Sequence, residues 1–308
     1  MTALALAWLA ACARPEAAEP PAPVKESQAA APAPPTQRAS SGRRIVAVGD
    51  LHGDREASLK VLQLAGIADA DGRWIGGDTV FVQTGDTTDR GPDSKGVIDL
   101  LRAIAAQAPA HGGEVHLLNG NHEVMNLQGD WRYVSDGDLA GFGGRNKRAL
   151  AFAKNGEYGR FLGTLPVVAK VDDTVFVHGG VTPEFAALGV EAVNTRAKEH
   201  YFDGPGPDGD AVHGTSGPTW YRGYVQDPEE TACPELQRAL EAMGAKRMVV
   251  GHTTRRDGRV ESRCGGRLAV IDIGISAHYG GHLGAWESID GDARALMPDG
   301  PVDLPDPP

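Results

Sequence analysis

Cysteine, long apolar runs and positive charge are all scarce in this chain, and each shortage argues against a class of protein. Three cysteines in 308 residues, none in a Cys-x-x-Cys spacing, argue against a thiolate zinc site and a dithiol redox centre. Lys and Arg number 30 against 41 Asp and Glu, a formal net charge of -11. Sequence-independent binding to nucleic acid depends on neutralising phosphates with Lys and Arg, so no nucleic-acid partner is expected, and an anionic substrate must be met by local charge. No apolar run reaches the roughly 20 residues that span a bilayer. What the chain does have is glycine, 41 residues of it, with a hydrophobic content of 41% and a charged content of 23%. That is an ordinary core joined by many tight loops, and it implies one folded domain with tails.

The N-terminus carries a short apolar run, Met1 to Ala11, within the roughly 7 to 15 residues of a signal-peptide core. Leu9-Ala10-Ala11-Cys12 resembles the lipobox of bacterial lipoproteins, in which the cysteine carries the lipid. The expectation is a lipoprotein signal over residues 1–12 and location in the cell envelope or periplasm, anchored to the membrane through lipidated Cys12. No Lys or Arg precedes the run, which leaves open a start further upstream or the Ala-rich terminus of a cytoplasmic protein. Residues 13–42, rich in Ala, Pro, Ser and Gln without an apolar period, read as a disordered tether. With Cys12 lipidated, Cys233 and Cys264 remain, either as a disulfide or as two unrelated thiols.

From Arg43 onward, short β-branched runs alternate with helical periods, and polar clusters follow the runs. Ile45-Val46-Ala47-Val48 leads into Gly49-Asp50-Leu51-His52-Gly53-Asp54, and Thr79 to Thr84 leads into Gly85-Asp86-Thr87-Thr88-Asp89-Arg90-Gly91. Glu114 to Leu118 delivers Gly120-Asn121-His122-Glu123, Asp173 to Val177 delivers His178-Gly179-Gly180, and Arg247 to Val250 delivers Gly251-His252-Thr253. Helices are expected after the first two clusters and near residues 147–153, 192–200 and 236–243. Closing strands are expected at 268–273 and 285–289. Strand-helix-strand units imply right-handed crossovers and a largely parallel sheet. Loops at the carboxyl ends of such strands gather on one rim, so the five clusters should converge. The domain is read as 43–292, with 293–308 a loose Pro-rich tail.

Asp50, His52, Asp86, Asn121, His178 and His252 offer carboxylate, imidazole and amide donors without thiolate, a set suited to Mn, Fe, Zn or Ni rather than Ca or Mg alone. Six donors exceed what one catalytic ion with an open position needs and suit two ions sharing a carboxylate, for which Asp86 is the natural bridge. Such a pair makes hydroxide available near neutrality for in-line attack on phosphorus. Arg90 can neutralise the equatorial oxygens, and Arg222 is a candidate second cation. His122 can protonate the leaving oxygen, with Asp89 fixing its tautomer. Against these stand plainer readings: one Gly-Asp-x-His-Gly is often a turn, and Arg222 can simply pair with a carboxylate. His116 reads as a core residue, and His111, His200, His213, His278 and His282 as loop or surface groups.

The ordered clusters resemble those of the calcineurin-like metallophosphoesterases, specifically the phosphoprotein phosphatases, over Arg43 to about Ile289. The resemblance implies an α/β fold of two mixed β-sheets packed as a sandwich and flanked by α-helices. It implies two divalent or trivalent transition-metal ions (Mn, Fe or Zn), the first held by Asp50, His52 and Asp86 and the second by Asp86, Asn121, His178 and His252. Arg90 is similar to the family's phosphate-binding arginine and His122 with Asp89 to its proton-donor pair; Asn121 and the candidate second cation Arg222 are expected to meet the phosphate beside Arg90. Gly129 to Val134, Trp220 to Tyr224, Ala245 to Thr253 and Ile271 to Ser276 are similar to the Shewanella-like protein phosphatases, which implies a phosphoprotein or phosphopeptide substrate and a preference for phosphotyrosine. Ser276 to Gly281 departs from the corresponding segment of the eukaryotic Ser/Thr enzymes.

The aromatics Trp131, Tyr133, Phe142, Tyr201, Phe202, Trp220, Tyr221 and Tyr224 can form a slot for a phenyl ring or pack under long loops. A Ser/Thr-specific phosphatase and a dinucleoside tetraphosphate hydrolase remain as alternatives, the latter on Arg90-Gly91-Pro92. So does a catalytically silent surface lipoprotein, which would require a broken ligand set.

Overall fold

A computed structural model of the chain describes residues 42–202 and 209–308; the signal segment and all but the end of the tether fall outside them. Three strands, β1 (Arg44–Val48), β2 (Val80–Gln83) and β3 (Glu114–Leu117), run parallel, with Ile45 opposite Val80 and Val80 opposite Glu114. A second sheet holds β4 (Val168–Val171), β5 (Thr174–Val177), β6 (Arg247–Val250), β7 (Glu261–Arg263) and β8 (Leu268–Val270), in the order β4-β5-β6-β8-β7. Here β5, β6 and β8 are parallel and the two edges antiparallel. The first sheet is completed by β9 (Ala285–Ile289), β10 (Asp292–Met297) and β11 (Gly300–Asp303), giving β11-β10-β9-β1-β2-β3. Parallel pairing is thus confined to the strands joined by crossovers, and hairpins supply the antiparallel flanks.

The tail expected over 293–308 is corrected by these strands. Ala293 and Ala295 are buried, with Leu296 beside them, whereas Asp306 accepts from the Ala293 amide at 3.0 Å and pairs with Arg247 at 2.8 Å. Alanines between Pro and Asp make a weak strand pattern, and only pairing with β9 reveals it.

Alternation decides which face each strand turns to the core. Phe176, Val249 and Ala269 join the cluster that includes the first sheet, where the Phe176 ring meets Trp286 edge-on at 5.8 Å between centroids. Their neighbours Val175, Val177, Met248, Val250, Leu268 and Val270 face the opposite layer, against Leu236, Ala239 and Leu240 of the helix Glu229–Met243. Each buried Val, Leu, Met or Phe among them contributes about 1.5–3 kcal/mol.

Helices α1 (Arg55–Leu64) and α2 (Ser94–Gln107) cover the first sheet through Val61, Leu62, Val97, Leu101 and Ile104. Both begin at a capping carboxylate: Asp54 of the first cluster caps the Ala57 amide at 3.0 Å, and Asp93, just past the second, caps the Gly96 amide at 2.8 Å. The third cluster opens α3 (Asn121–Leu127), and the irregular stretch after it contains α4 (Asp136–Gly141) and α5 (Arg145–Phe152). Cys233, in the helix Glu229–Met243, is disulfide-bonded to Cys264 in the turn after β7.

Candidate metal centre

All five clusters leave the carboxyl ends of β1, β2, β3, β5 and β6, and the chain must turn sharply there. His52, Asp86, Asp89, Arg90 and His252 all have positive φ, between 42° and 69°, at a cost of roughly 1–3 kcal/mol each. Packing enforces the turns. Glu123, wholly buried, accepts from the amides of Asp86, Thr87, Thr88 and Gly120 and from both threonine hydroxyls, locking the second loop to the third. Two glycines leave room for carboxylates: a Cβ on Gly120 would lie 2.2 Å from an Asp86 oxygen, and one on Gly251 2.3 Å from an Asp50 oxygen.

Asp86 lies between two groups of donors. Its Oδ2 is 3.7 Å from His52 Nε2 and 3.2 Å from His178 Nε2, and it belongs both to a triad with His52 and His122 and to one with His178 and His252. Asp50 adjoins both, 3.8 Å from His52 and 3.9 Å from His178, and accepts the His252 amide at 3.1 Å. Asn121 Oδ1 is 3.0 Å from His178 Nε2. Backbone carbonyls aim the rings: Thr88 meets His52 Nδ1 at 3.2 Å and Thr84 meets His178 Nδ1 at 3.0 Å, leaving Nε2 inward. Trp220 meets His252 Nε2 at 3.1 Å, leaving Nδ1 for the site. Outer partners of this kind set tautomer and ring orientation in metal sites.

The donor chemistry fits cations. Burial keeps His52 neutral, its pKa brought down to about 4, and burial with the neighbouring His178 and Arg222 depresses His252 as well. Burial and the like charges of Asp272 and Asp86 push Asp50 well above the carboxylate range. Burial raises Asp86 too, but the imidazoles of His178, His122 and His52 outweigh it and hold the carboxyl well below its usual value. Among the described residues the ion pairs of Asp50 and Asp86 are with histidines alone, so buried negative charge is concentrated without Lys or Arg to balance it.

The cations stand at the rim instead. A cavity of about 170 Å³ is lined by His52, Asp86, Asn121, His122 and His252 below, and by Arg90, Arg222, Tyr133, Trp220, Thr254 and Tyr279 above. The Arg90 guanidinium lies 3.9 Å over the Tyr133 ring, with Nε unpartnered. Arg222 is tied to the His252 carbonyl at 2.6 Å and Thr253 Oγ1 at 3.2 Å, rather than to a carboxylate. His122 Nδ1 is 2.7 Å from Asp89 Oδ2. Burial lowers its pKa, yet Asp86 and Asp89 together carry it above the ordinary imidazole value.

Every residue singled out for the site therefore falls in this cavity or directly behind it. The aromatic slot is corrected: of its eight members only Tyr133 and Trp220 line the cavity, while Tyr201 and Tyr224 are buried in the core and Phe142 packs on Phe152 and Tyr158. Tyr279, which no motif marks in the sequence, lies 4.8 Å from the His52 ring in the segment that departs from the eukaryotic pattern. Asp54 brings it there, capping α1 with one oxygen and accepting the Ala277 amide at 2.9 Å with the other. Asp272, buried beside Asp50, also escaped notice; an acid just past the end of β8 was the available signal.

Residues 43–256 match the calcineurin-like phosphoesterase family, and the chain belongs to it. Among its relatives, an uncharacterized protein of Schizosaccharomyces pombe is 38% identical over 82% of this chain and 79% of its own length. Shewanella-like protein phosphatase 2 of Arabidopsis thaliana is 31% identical over 76% of this chain and 71% of its own. The cold-active protein-tyrosine phosphatase of a psychrophilic Shewanella superposes with a TM-score of 0.73 at 28% identity, over 85% of this chain and 80% of that one.

Proposed function

We propose that this chain is a dinuclear metal-dependent phosphomonoesterase that hydrolyses phosphoproteins, with a preference for phosphotyrosine. The observation that carries the reading is Asp86, shared between two histidine-containing triads beneath a rim whose arginines have no carboxylate partner among the described residues. Asp50, His52 and Asp86 would hold one ion, and Asp86, Asn121, His178 and His252 the other. Bound there, Mn, Fe or Zn supplies Lewis acidity toward phosphoryl oxygens and lowers the pKa of water so that a nucleophile exists near neutrality.

The chain's own groups do the rest. Arg90 and Arg222, on opposite loops of the cavity, bind the phosphoryl oxygens and balance the charge that spreads over them in the transition state. Asn121 fixes an oxygen from below. His122, protonated and held through Nδ1 by Asp89, gives the proton at Nε2 to the leaving oxygen. Tyr133, Trp220 and Tyr279 offer apolar faces to an aryl ester, and the named relatives support protein substrates. A phenol, with a pKa of about 10, needs this proton less than an alkoxide does.

Initial rates on a phosphotyrosyl peptide, a phosphoseryl peptide and diadenosine tetraphosphate test the proposal; turnover of the dinucleotide alone would replace it with the tetraphosphate hydrolase reading, which Arg90-Gly91-Pro92 favours. The complete donor set argues against a silent binding protein. We further propose attachment to the cell envelope through Cys12, on the sequence of residues 1–12. Cys12→Ala should shift the protein from the membrane to the soluble fraction, and identical fractionation of the two forms would refute the anchor.

A further inference from the structure

We infer that Arg148, a wholly buried arginine of α5, is a positioning residue that holds Asp89 in the orientation His122 requires. Arg148 lies on α5 and has no exposure to solvent. Its Nε donates to Asp138 Oδ2 at 2.7 Å and its Nη1 to Asn126 Oδ1 at 2.7 Å. Its Nη2 is buried, has no hydrogen-bond partner among the described residues, and stands 3.6 Å from Asp89 Oδ1. The Phe152 ring lies 4.3 Å and the Trp131 ring 5.4 Å from the guanidinium carbon, which limits the plane to one orientation.

Each partner of Arg148 also leads to Asp89. Asn126 Nδ2 donates to Asp89 Oδ1 at 3.0 Å. Asp138 Oδ1 accepts the Ser94 amide at 2.8 Å, and Ser94 Oγ accepts the Asp89 amide at 3.1 Å. One carboxylate oxygen of Asp89 thereby accepts from Asn126 and faces the Arg148 guanidinium at ion-pair distance, and the other is left for His122 Nδ1 at 2.7 Å. A buried cation is tolerated only when paired and hydrogen-bonded, and Asp138 alone would satisfy that need. A third arm directed at Asp89, together with two relays that end there, is what a clamp on the proton-donor pair requires. Removing the guanidinium lets Asp89 swing and leaves the imidazole free to turn.

The inference rests on the reading of His122 as proton donor, and the experiment separates the two. Wild type, Arg148→Met, Arg148→Lys, His122→Asn and the double variant Arg148→Met/His122→Asn are compared as metal-loaded full-length proteins on a phosphoseryl peptide and on nitrophenyl phosphate. Arg148→Met should lower kcat about tenfold for the alkyl ester and about twofold for the aryl ester, because only the poorer leaving group depends on a well-placed acid. In the His122→Asn background the same change should alter the alkyl rate less than about twofold, since groups that act as one unit are not additive. Arg148→Lys keeps the charge without the three-armed fork and should fall between; it carries the test if Arg148→Met does not fold. In the zinc-loaded protein the His122 Nδ1 proton should broaden in ¹⁵N-edited spectra of the variant. Equal losses on both esters, or full additivity with His122→Asn, would overturn the inference. If His122→Asn itself loses both esters equally, the proton-donor reading fails and takes the clamp with it. A split in His122→Asn that Arg148→Met lacks refutes the clamp alone.

Discussion

Arg90 is a cation held by a ring and a backbone turn, with its Nε buried and unpartnered. A stack of this kind contributes about 0.5–2 kcal/mol and leaves the fork free for an anion, which a carboxylate partner would not. Arg90→Ala should therefore lower kcat/KM for aryl phosphate on the order of 100-fold and weaken inhibition by inorganic phosphate in parallel, both read from steady-state kinetics. His213 illustrates the opposite use of burial: its Nε2 meets the Ala197 carbonyl at 3.1 Å, its Nδ1 has no partner among the described residues, and desolvation lowers its pKa. The folded protein holds this ring neutral, whereas the unfolded chain protonates it below about 6.5. Its contribution to stability is thus present above pH of about 6.5 and lost as pH falls through the lower, folded-state pKa. His213→Gln should flatten the acid limb of a Tm-versus-pH curve, and an unchanged limb would count against this account.

At the scale of elements, short strands end in loops that other elements hold bent. Glu123 on α3 fixes the loop after β2, and Asp54 at the start of α1 fixes the segment that carries Tyr279. The helix Glu229–Met243 is joined by its disulfide to the turn after β7, across 31 residues of sequence. Closing a loop of that length restricts the unfolded chain by roughly 3–4 kcal/mol. The Cys233→Ala/Cys264→Ala variant should lose stability of that order in urea unfolding, and the wild type should lose a similar amount when reduced. Arg263, next to Cys264, donates to the carbonyls of Tyr224 at 2.5 Å and Asp227 at 2.8 Å, so the same linkage supports the short helix that follows Arg222.

For the molecule as a whole, the two sheets pack face to face and the site gathers Asp50, Asp86, Glu123 and Asp272, all buried, at one rim. Cations are the natural balance for that charge, so chelation should lower the Tm by several degrees and restored Mn or Zn should recover it, as expected for a ligand bound only by the folded state. A Tm indifferent to chelator would mean the carboxylates are balanced some other way. Much of this was legible beforehand. Motif residues from Asp50 to His252 could be read because each follows a β-branched run, and strand ends in crossover-connected sheets converge by topology. Which donors meet follows from the motifs, because each ends a strand whose carboxyl end a crossover brings to the same edge. That Tyr279 and not Tyr201 borders the cavity, that β10 and β11 extend the first sheet, and that Arg148 faces Asp89 came from packing. Those outcomes depend on long-range packing and hydrogen bonds between segments with no local period to announce them, and a buried arginine on a short helix looks, in sequence, like any solvated one.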